Sequence, residues 1–282
     1  MGNFEAINKA DLHTHTNFSD GMFSSEELIL KVKNAGLTHL AITDHDNVDA
    51  VEEALDFGKG HNIEVIPGAE ISAEHNGKET HILAYFIDYK NEELLEYLRG
   101  FRKERLKRAE KIVVKLNELG IPVKIDDVLS KVKGNASIGR PHIAIALLEG
   151  GFINSYYEAF NRLIGDDKPA YVKKPNISAK DAIKLISRCG GLSFIAHPGK
   201  NLRDSNTLFE LIEFGIDGIE VIHPSHTEYD TAYFQDIAGQ YFLLESGGSD
   251  FHGGRINDES VLGKYYIGEA KISAMKNRLF VT

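Results

Sequence analysis

The sequence predicts an α/β fold of the β/α-barrel kind, and three observations lead there. Short apolar runs alternate with helix-period segments along most of the chain, which is the pattern of β/α units around a mainly parallel sheet. Ionisable residues recur where apolar runs stop, as at the rim of a parallel barrel, where strand ends converge. The length, 282 residues, suits one large barrel or two smaller domains.

Taken in order, strands are predicted near residues 10–13, 39–43, 65–71, 81–87, 192–196, 218–222 and 242–245, with a last one at 265–267. Helices are predicted between them at about 25–35, 49–58, 179–189, 207–214 and 229–238. Ser24 or Ser25 can cap the first helix, Glu26 and Glu27 favour the positive end of its dipole, and Ala35-Gly36 ends it. The alternation breaks from about 91 to 168. There Leu94, Leu98, Ile112, Val113, Leu116 and Leu119 suit a long amphipathic helix followed by shorter ones. The expected organisation is a barrel in two parts, 1–98 and 169–282, interrupted by a helical insertion at 99–168 that covers the site.

The long helix carries Arg102, Lys103, Arg105, Lys107, Arg108, Lys111 and Lys115, interleaved with Glu104 and Glu110. That run is either a solvated face or a surface that guides an anionic substrate. Acidic residues outnumber basic ones 42 to 32, for a formal charge of −10, so no grip on long duplex nucleic acid is expected. The start, MGNFEAINKADLHTH, lacks a basic segment followed by an apolar run, and no apolar stretch approaches the roughly 18 residues of a membrane span. A soluble, cytoplasmic protein with no membrane partner is expected. Cys189 is the one cysteine, so thiolate metal chemistry is not, and a small buried residue at a helix end is.

Histidine is the unusual component, with twelve in the chain. Asp11-Leu12-His13-Thr14-His15 closes the first strand and Asp20 follows. Residues two apart on a strand point to one side, so His13 and His15 can address one ion. Thr43-Asp44-His45-Asp46 follows the second strand, and Gly68-Ala69-Glu70 lies on the third. His81 opens the next apolar run. Ala196-His197-Pro198-Gly199 and Ile222-His223-Pro224 repeat one pattern, and Ser249-Asp250-Phe251-His252 comes last. Nitrogen and oxygen donors without sulfur suit Zn²⁺, Mn²⁺ or Fe²⁺. The nine candidates His13, His15, Asp20, His45, Glu70, His81, His197, Asp250 and His252 exceed the four of one structural zinc, so two to three divalent ions are expected.

The order HTH…D, TDHD, GAE, H, AHPG and SDFH resembles the PHP superfamily, named for polymerases and histidinol phosphatases, over nearly the whole chain. Within it, Ser137-Ile138-Gly139-Arg140-Pro141-His142 and Ala170-Tyr171-Val172 resemble the branch of 3′,5′-nucleoside bisphosphate phosphatases and a 5′-to-3′ exoribonuclease. The resemblance implies a distorted (β/α)7 barrel. It also implies one metal on His13, His15, Glu70 and Asp250, a second on Glu70, His81 and His197, and a third on Asp20, His45 and His252, with Glu70 as the catalytic bridge.

The activity so implied is metal-dependent hydrolysis of phosphate monoesters of nucleotides by a metal-bound hydroxide, on the 3′-phosphate of a nucleoside 3′,5′-bisphosphate or on short 5′-phosphorylated RNA ends. The alternatives are a histidinol-phosphate or sugar-phosphate phosphatase and, in another class, a non-catalytic metal-binding module that supports a partner. His223 and His226 either donate a proton or bind phosphate, or else pack around Pro224. Asp44 and Asp46 either orient ligating histidines or serve turns. Arg140 is the foremost candidate for binding phosphate, by two parallel hydrogen bonds, with a surface ion pair as the competing role. Lys173 and Lys174 are weaker candidates for the same task.

Overall fold

The computed structural model describes residues 8–132, 136–174, 176–203, 205–254 and 258–280. In chain order the elements are β1 (Lys9–Thr14), α1 (Ser25–Asn34), β2 (His39–Ile42), α2 (Val51–His61), β3 (Glu64–His75), β4 (Lys78–Tyr85) and α3 (Glu92–Glu118). Next come α4 (Ile125–Leu129), α5 (Arg140–Glu149), α6 (Tyr156–Glu158), a π-helical turn (Ala159–Ile164), β5 (Ile177–Ser178), α7 (Ala179–Arg188) and β6 (Leu192–Ile195). The chain continues through α8 (Gly199–Leu202), α9 (Asn206–Glu213), β7 (Gly218–Ile222), α10 (Glu228–Gln240), β8 (Leu244–Gly247), β9 (Ile267–Gly268) and α11 (Glu269–Leu279). Two compact units result: a barrel unit, 1–95 with 176–282, and a helical unit, 96–175.

In the barrel unit the strand order is β8-β7-β6-β4-β3-β2-β1-β9, with β5 paired to β3. Past β8 the chain returns to β1: Ser249 N–H donates to Asp11 Oδ1 at 2.9 Å and His15 N–H to the Phe251 carbonyl at 2.9 Å. A parallel bridge joins Thr14 to Phe251, so the sheet is a nearly closed barrel. Leu12, Leu83, Tyr85 and Phe194 pack with Ile272 and Met275 of α11 in one core cluster. Leu28, Ile29 and Val32 of α1 pack with Leu40 and Ile42 of β2 in another. Ser24 caps α1 in a reciprocal capping box with Glu27, as the sequence suggests.

Strand β4 departs from the parallel pattern, running antiparallel to both β3 and β6. Asn76 (φ 50°) and Gly77 (φ 78°) form the two-residue connection from β3, both left-handed as a type I′ hairpin turn requires. The reversal explains His81, which opens its apolar run instead of closing it. At the start of a reversed strand, His81 reaches the rim that the other strands reach with their ends.

The helical unit is built on α3 and has its own core, including Ile112, Leu116, Ile143, Leu147, Leu163 and Ala170. It continues beyond residue 168 because the next turn is tied to α3: Lys115 Nζ donates to the Tyr171 carbonyl (2.7 Å) and Arg108 Nε to that of Val172 (2.8 Å). Arg105 Nε likewise donates to the Ile138 carbonyl at 2.7 Å. The basic run is therefore partly internal, with Arg108 buried, and is not one solvated face. Among the described residues no helix is long and apolar enough to cross a membrane.

Candidate metal centre

The nine ligand candidates gather at one rim of the barrel unit. From β1, Nε2 of His13 lies 3.4 Å from Glu70 Oε2 and 3.4 Å from Asp250 Oδ1. His15 Nε2 lies 3.4 and 3.1 Å from the same two oxygens. The other Glu70 oxygen, Oε1, is 2.8 Å from His81 Nδ1 and 3.0 Å from His197 Nε2. His45 Nδ1 approaches Glu70 Oε2 at 3.1 Å, and Asp20 Oδ1 lies 3.2 Å from His252 Nε2. His15, Asp20, His45 and His252 offer donor atoms that all lie within 4.8 Å of one another.

The chemistry of these donors fits divalent cations. His15 is fully buried, yet among the described residues neither of its ring nitrogens has a hydrogen-bond partner of good geometry, and the same holds for His45 Nδ1. Buried imidazole nitrogens left bare beside carboxylate oxygens are costly unless a cation satisfies them. Burial also drives the His45 pKa to about 3 and lowers that of His15, assisted by the His252 charge. Neutral imidazole is the form that ligates metal. Burial opposes the charge on Glu70, but the imidazoles of His45, His81 and His13 outweigh it and hold the carboxyl well below the usual range.

Two candidate ligands sit in unusual backbone. His197 (φ 30°) and Asp250 (φ 50°), just past β6 and β8, lie in the left-handed region, which is costly for histidine. A buried carboxylate holds the first in place: His197 N–H donates to Glu220 Oε2 at 2.6 Å. The same Glu220 meets His13 Nδ1 through Oε1, a carboxylate–histidine pair of the kind that orients metal ligands. Asp11, also buried, accepts from the backbone of His13 (3.2 Å) and Ser249 (2.9 Å) through Oδ1. The sequence reading assigned neither carboxylate a role. Its available signal was a charged residue inside an apolar strand, Gly218-Ile219-Glu220-Val221-Ile222, because a buried charge needs partners.

Other expectations change. Asp44 accepts from Thr16 N–H (2.7 Å), the Thr16 hydroxyl and the Ser19 hydroxyl, fixing the loop that carries Asp20. Asp46 accepts from the Ser72 N–H and hydroxyl. These contacts serve loop and strand ends. His226 spends both ring nitrogens on backbone, Nδ1–H donating to the Val221 carbonyl (2.9 Å) and Nε2 accepting from Gly199 N–H (3.0 Å). A ring so occupied has no nitrogen left for substrate, and it pins the loop after His197 instead. His223 differs: Nδ1 accepts from Ser225 N–H at 3.1 Å, while Nε2, 3.7 Å from Asp250 Oδ2, has no hydrogen-bond partner of good geometry among the described residues.

In the helical unit, Arg140 opens α5, and its Nη1 donates to Asp166 Oδ1 (2.7 Å) and the Ile164 carbonyl (3.3 Å). Its guanidinium also lies over the rings of Phe160 and Tyr171. Lys174 is half-buried in irregular chain at the end of that unit. Cys189 is buried and caps the end of α7.

The PHP domain model matches residues 11–123. A 5′-3′ exoribonuclease of Haemophilus influenzae is 33% identical over 86% of this chain and 90% of its own. A 3′,5′-nucleoside bisphosphate phosphatase of Chromobacterium violaceum is 32% identical over 86% of each. A phosphoribosyl 1,2-cyclic phosphate 1,2-diphosphodiesterase of Eggerthella lenta is 30% identical over 86% of this chain and 94% of its own. Among solved structures, a Bifidobacterium adolescentis protein classed as a metal-dependent phosphoesterase superposes with a TM-score of 0.85 at 31% identity, covering 95% of this chain and 96% of that one.

Proposed function

The chain belongs to the PHP domain family of metal-dependent phosphoesterases, and on that premise we propose that it removes the 3′-phosphate of nucleoside 3′,5′-bisphosphates and acts on short 5′-phosphorylated RNA ends. One observation carries the reading. Both oxygens of a single buried carboxylate, Glu70, face imidazole nitrogens, Oε2 those of His13, His15 and His45 and Oε1 those of His81 and His197. A carboxylate so surrounded suits a bridge between two cations.

In this reading His13, His15, Glu70 and Asp250 hold one divalent ion, Glu70, His81 and His197 a second, and Asp20, His45 and His252 a third, the metal being Mn²⁺, Fe²⁺ or Zn²⁺. Bound there, such ions supply Lewis acidity, drawing charge from phosphoryl oxygens and acidifying water. The protein's own groups do the rest. Glu220 and Asp11 hold the first ligand strand in register. Ser225 N–H faces His223 Nδ1, which leaves the ring proton on Nε2. His223 Nε2–H, bare beside Asp250, then donates a hydrogen bond to a phosphoryl or leaving oxygen. Arg140 binds the phosphate that does not react, exchanging its exposed partner Asp166 for it, and Lys174 adds positive charge to the same arm.

The relatives named for nucleotide and RNA substrates favour this choice. The test is phosphate or nucleotide release by the metal-loaded protein from adenosine 3′,5′-bisphosphate, 5′-phosphorylated oligoribonucleotides, a cyclic phosphodiester and histidinol phosphate. Preferred turnover of either of the last two would replace the proposed substrate.

A further inference from the structure

A cavity of about 560 Å³ opens beside the centre, with His81 and His197 in its wall. That volume is in the range of sites for small organic molecules. Ala196, Pro198 and Leu202 give it an apolar side, and Ser205 and Thr207, at the start of α9, supply hydroxyls. Lys78, the first residue of β4, also lines it. This lysine is exposed and has no ion pair among the described residues. The wall is braced across its width: His75 pairs with Glu210 of α9, and Asn76 Nδ2 donates to the same carboxylate at 2.9 Å. The turn that presents Lys78 is thereby fixed against α9.

Every described lining residue belongs to the barrel unit, as do the nine ligand candidates. A phosphate monoester has one organic arm, and a phosphodiester has two. With the reacting phosphorus at the ligand candidates, this cavity has room for a second arm. We propose that the cavity beside His81 and His197 is the subsite for the nucleotide downstream of the scissile phosphate, with Lys78 binding that nucleotide's 3′-phosphate. The inference rests on the nucleotide reading above and names the subsite that its RNA-end activity needs.

The same bond breaks in both substrates. A water oxygen adds to phosphorus as the P–O3′ bond cleaves, O3′ takes one proton, and the water's other proton is lost to solvent. A bisphosphate yields inorganic phosphate and a nucleoside 5′-phosphate. An RNA end yields a nucleoside 5′-phosphate and an RNA one residue shorter that again carries a 5′-phosphate. The downstream subsite matters only for the second reaction.

The experiment compares adenosine 3′,5′-bisphosphate with the 5′,3′-phosphorylated dinucleotide pApAp in wild type, Lys78→Ala and Leu202→Trp. Because a charged hydrogen bond is worth roughly ten-fold or more, Lys78→Ala should lower kcat/KM for the dinucleotide about 10-fold, chiefly through KM, and leave the bisphosphate unchanged. Leu202→Trp, which fills the cavity, should do the same. Equal losses on both substrates, or none on the dinucleotide, overturn the subsite. A wild type that hydrolyses the bisphosphate but not the dinucleotide overturns it together with the RNA-end half of the proposed function, while the bisphosphate half stands. Turnover of neither substrate sinks both.

Discussion

Nδ1 of His13 lies 2.9 Å from Oε1 of Glu220, and both side chains are fully buried. That pairing fixes the tautomer of the imidazole and leaves Nε2 free to face Glu70 and Asp250. Glu220→Gln keeps the volume and removes the charge. Wild-type protein reconstituted with Mn²⁺, Fe²⁺ or Zn²⁺ should hold two to three ions per chain. The variant should bind metal about 10- to 100-fold more weakly, the usual cost of losing a partner behind a ligand. Titration of chelator-treated protein with metal checks both, and unchanged affinity would remove Glu220 from the centre.

Glu70→Gln changes almost no volume but takes away the charge that both groups of imidazoles face. Activity should fall by orders of magnitude while circular dichroism shows that the barrel is still folded. Near-normal turnover would mean that Glu70 does not bridge metals.

Arg140→Ala separates two roles for one guanidinium. Its ion pair with Asp166 involves a mostly exposed carboxylate and contributes little to stability. If the arginine reads the second phosphate, the variant should lose about 10- to 150-fold in kcat/KM on the bisphosphate and little on the 3′-monophosphate. Equal losses would assign it to the reacting phosphate or to the fold.

Asp11 gives a pH-dependent prediction for the metal-free protein. Burial raises its pKa to about 7, against the hydrogen bonds from Ser249 and His13. Because the folded value lies above the unfolded one, the contribution to stability is complete below about pH 4 and is lost as pH rises to 7. Asp11→Asn mimics the protonated carboxyl, keeping Oδ1 as acceptor and placing an N–H at the bare Oδ2 position. The variant's stability relative to wild type should therefore increase by ~3 kcal/mol between pH 5 and pH 8, at 1.36 kcal/mol per pKa unit. Urea unfolding at the two pH values checks this, and a difference that does not vary with pH would contradict it.

Six of the nine ligand candidates were legible because they lie in short segments, HTH, TDHD, AHPG or SDFH, where an apolar run stops. The reversal of β4 was also written in the sequence, in the Asn76-Gly77 pair, but a reading based on alternation of strands and helices passes over a hairpin. Glu220 was harder to read for another reason. A carboxylate behind a ligand is recognised by its partner, and that partner is 207 positions away for Glu220 and His13. His226 shows the opposite limit. Its place beside His223 suggested chemistry, whereas only the fold reveals that backbone groups take both nitrogens.

The return of the chain from β8 to β1 has a consequence for how the molecule is made. His15 and His252 stack with ring centroids 4.0 Å apart, although 237 positions separate them in the chain (252 − 15). Contacts of such long separation pay loop-closure entropy before they gain anything, and they form late. A nascent chain still lacking Asp250 and His252 has only fragments of each donor set. Tight loading with metal therefore reports that synthesis has passed the last ligand and that the sheet has joined its two edges.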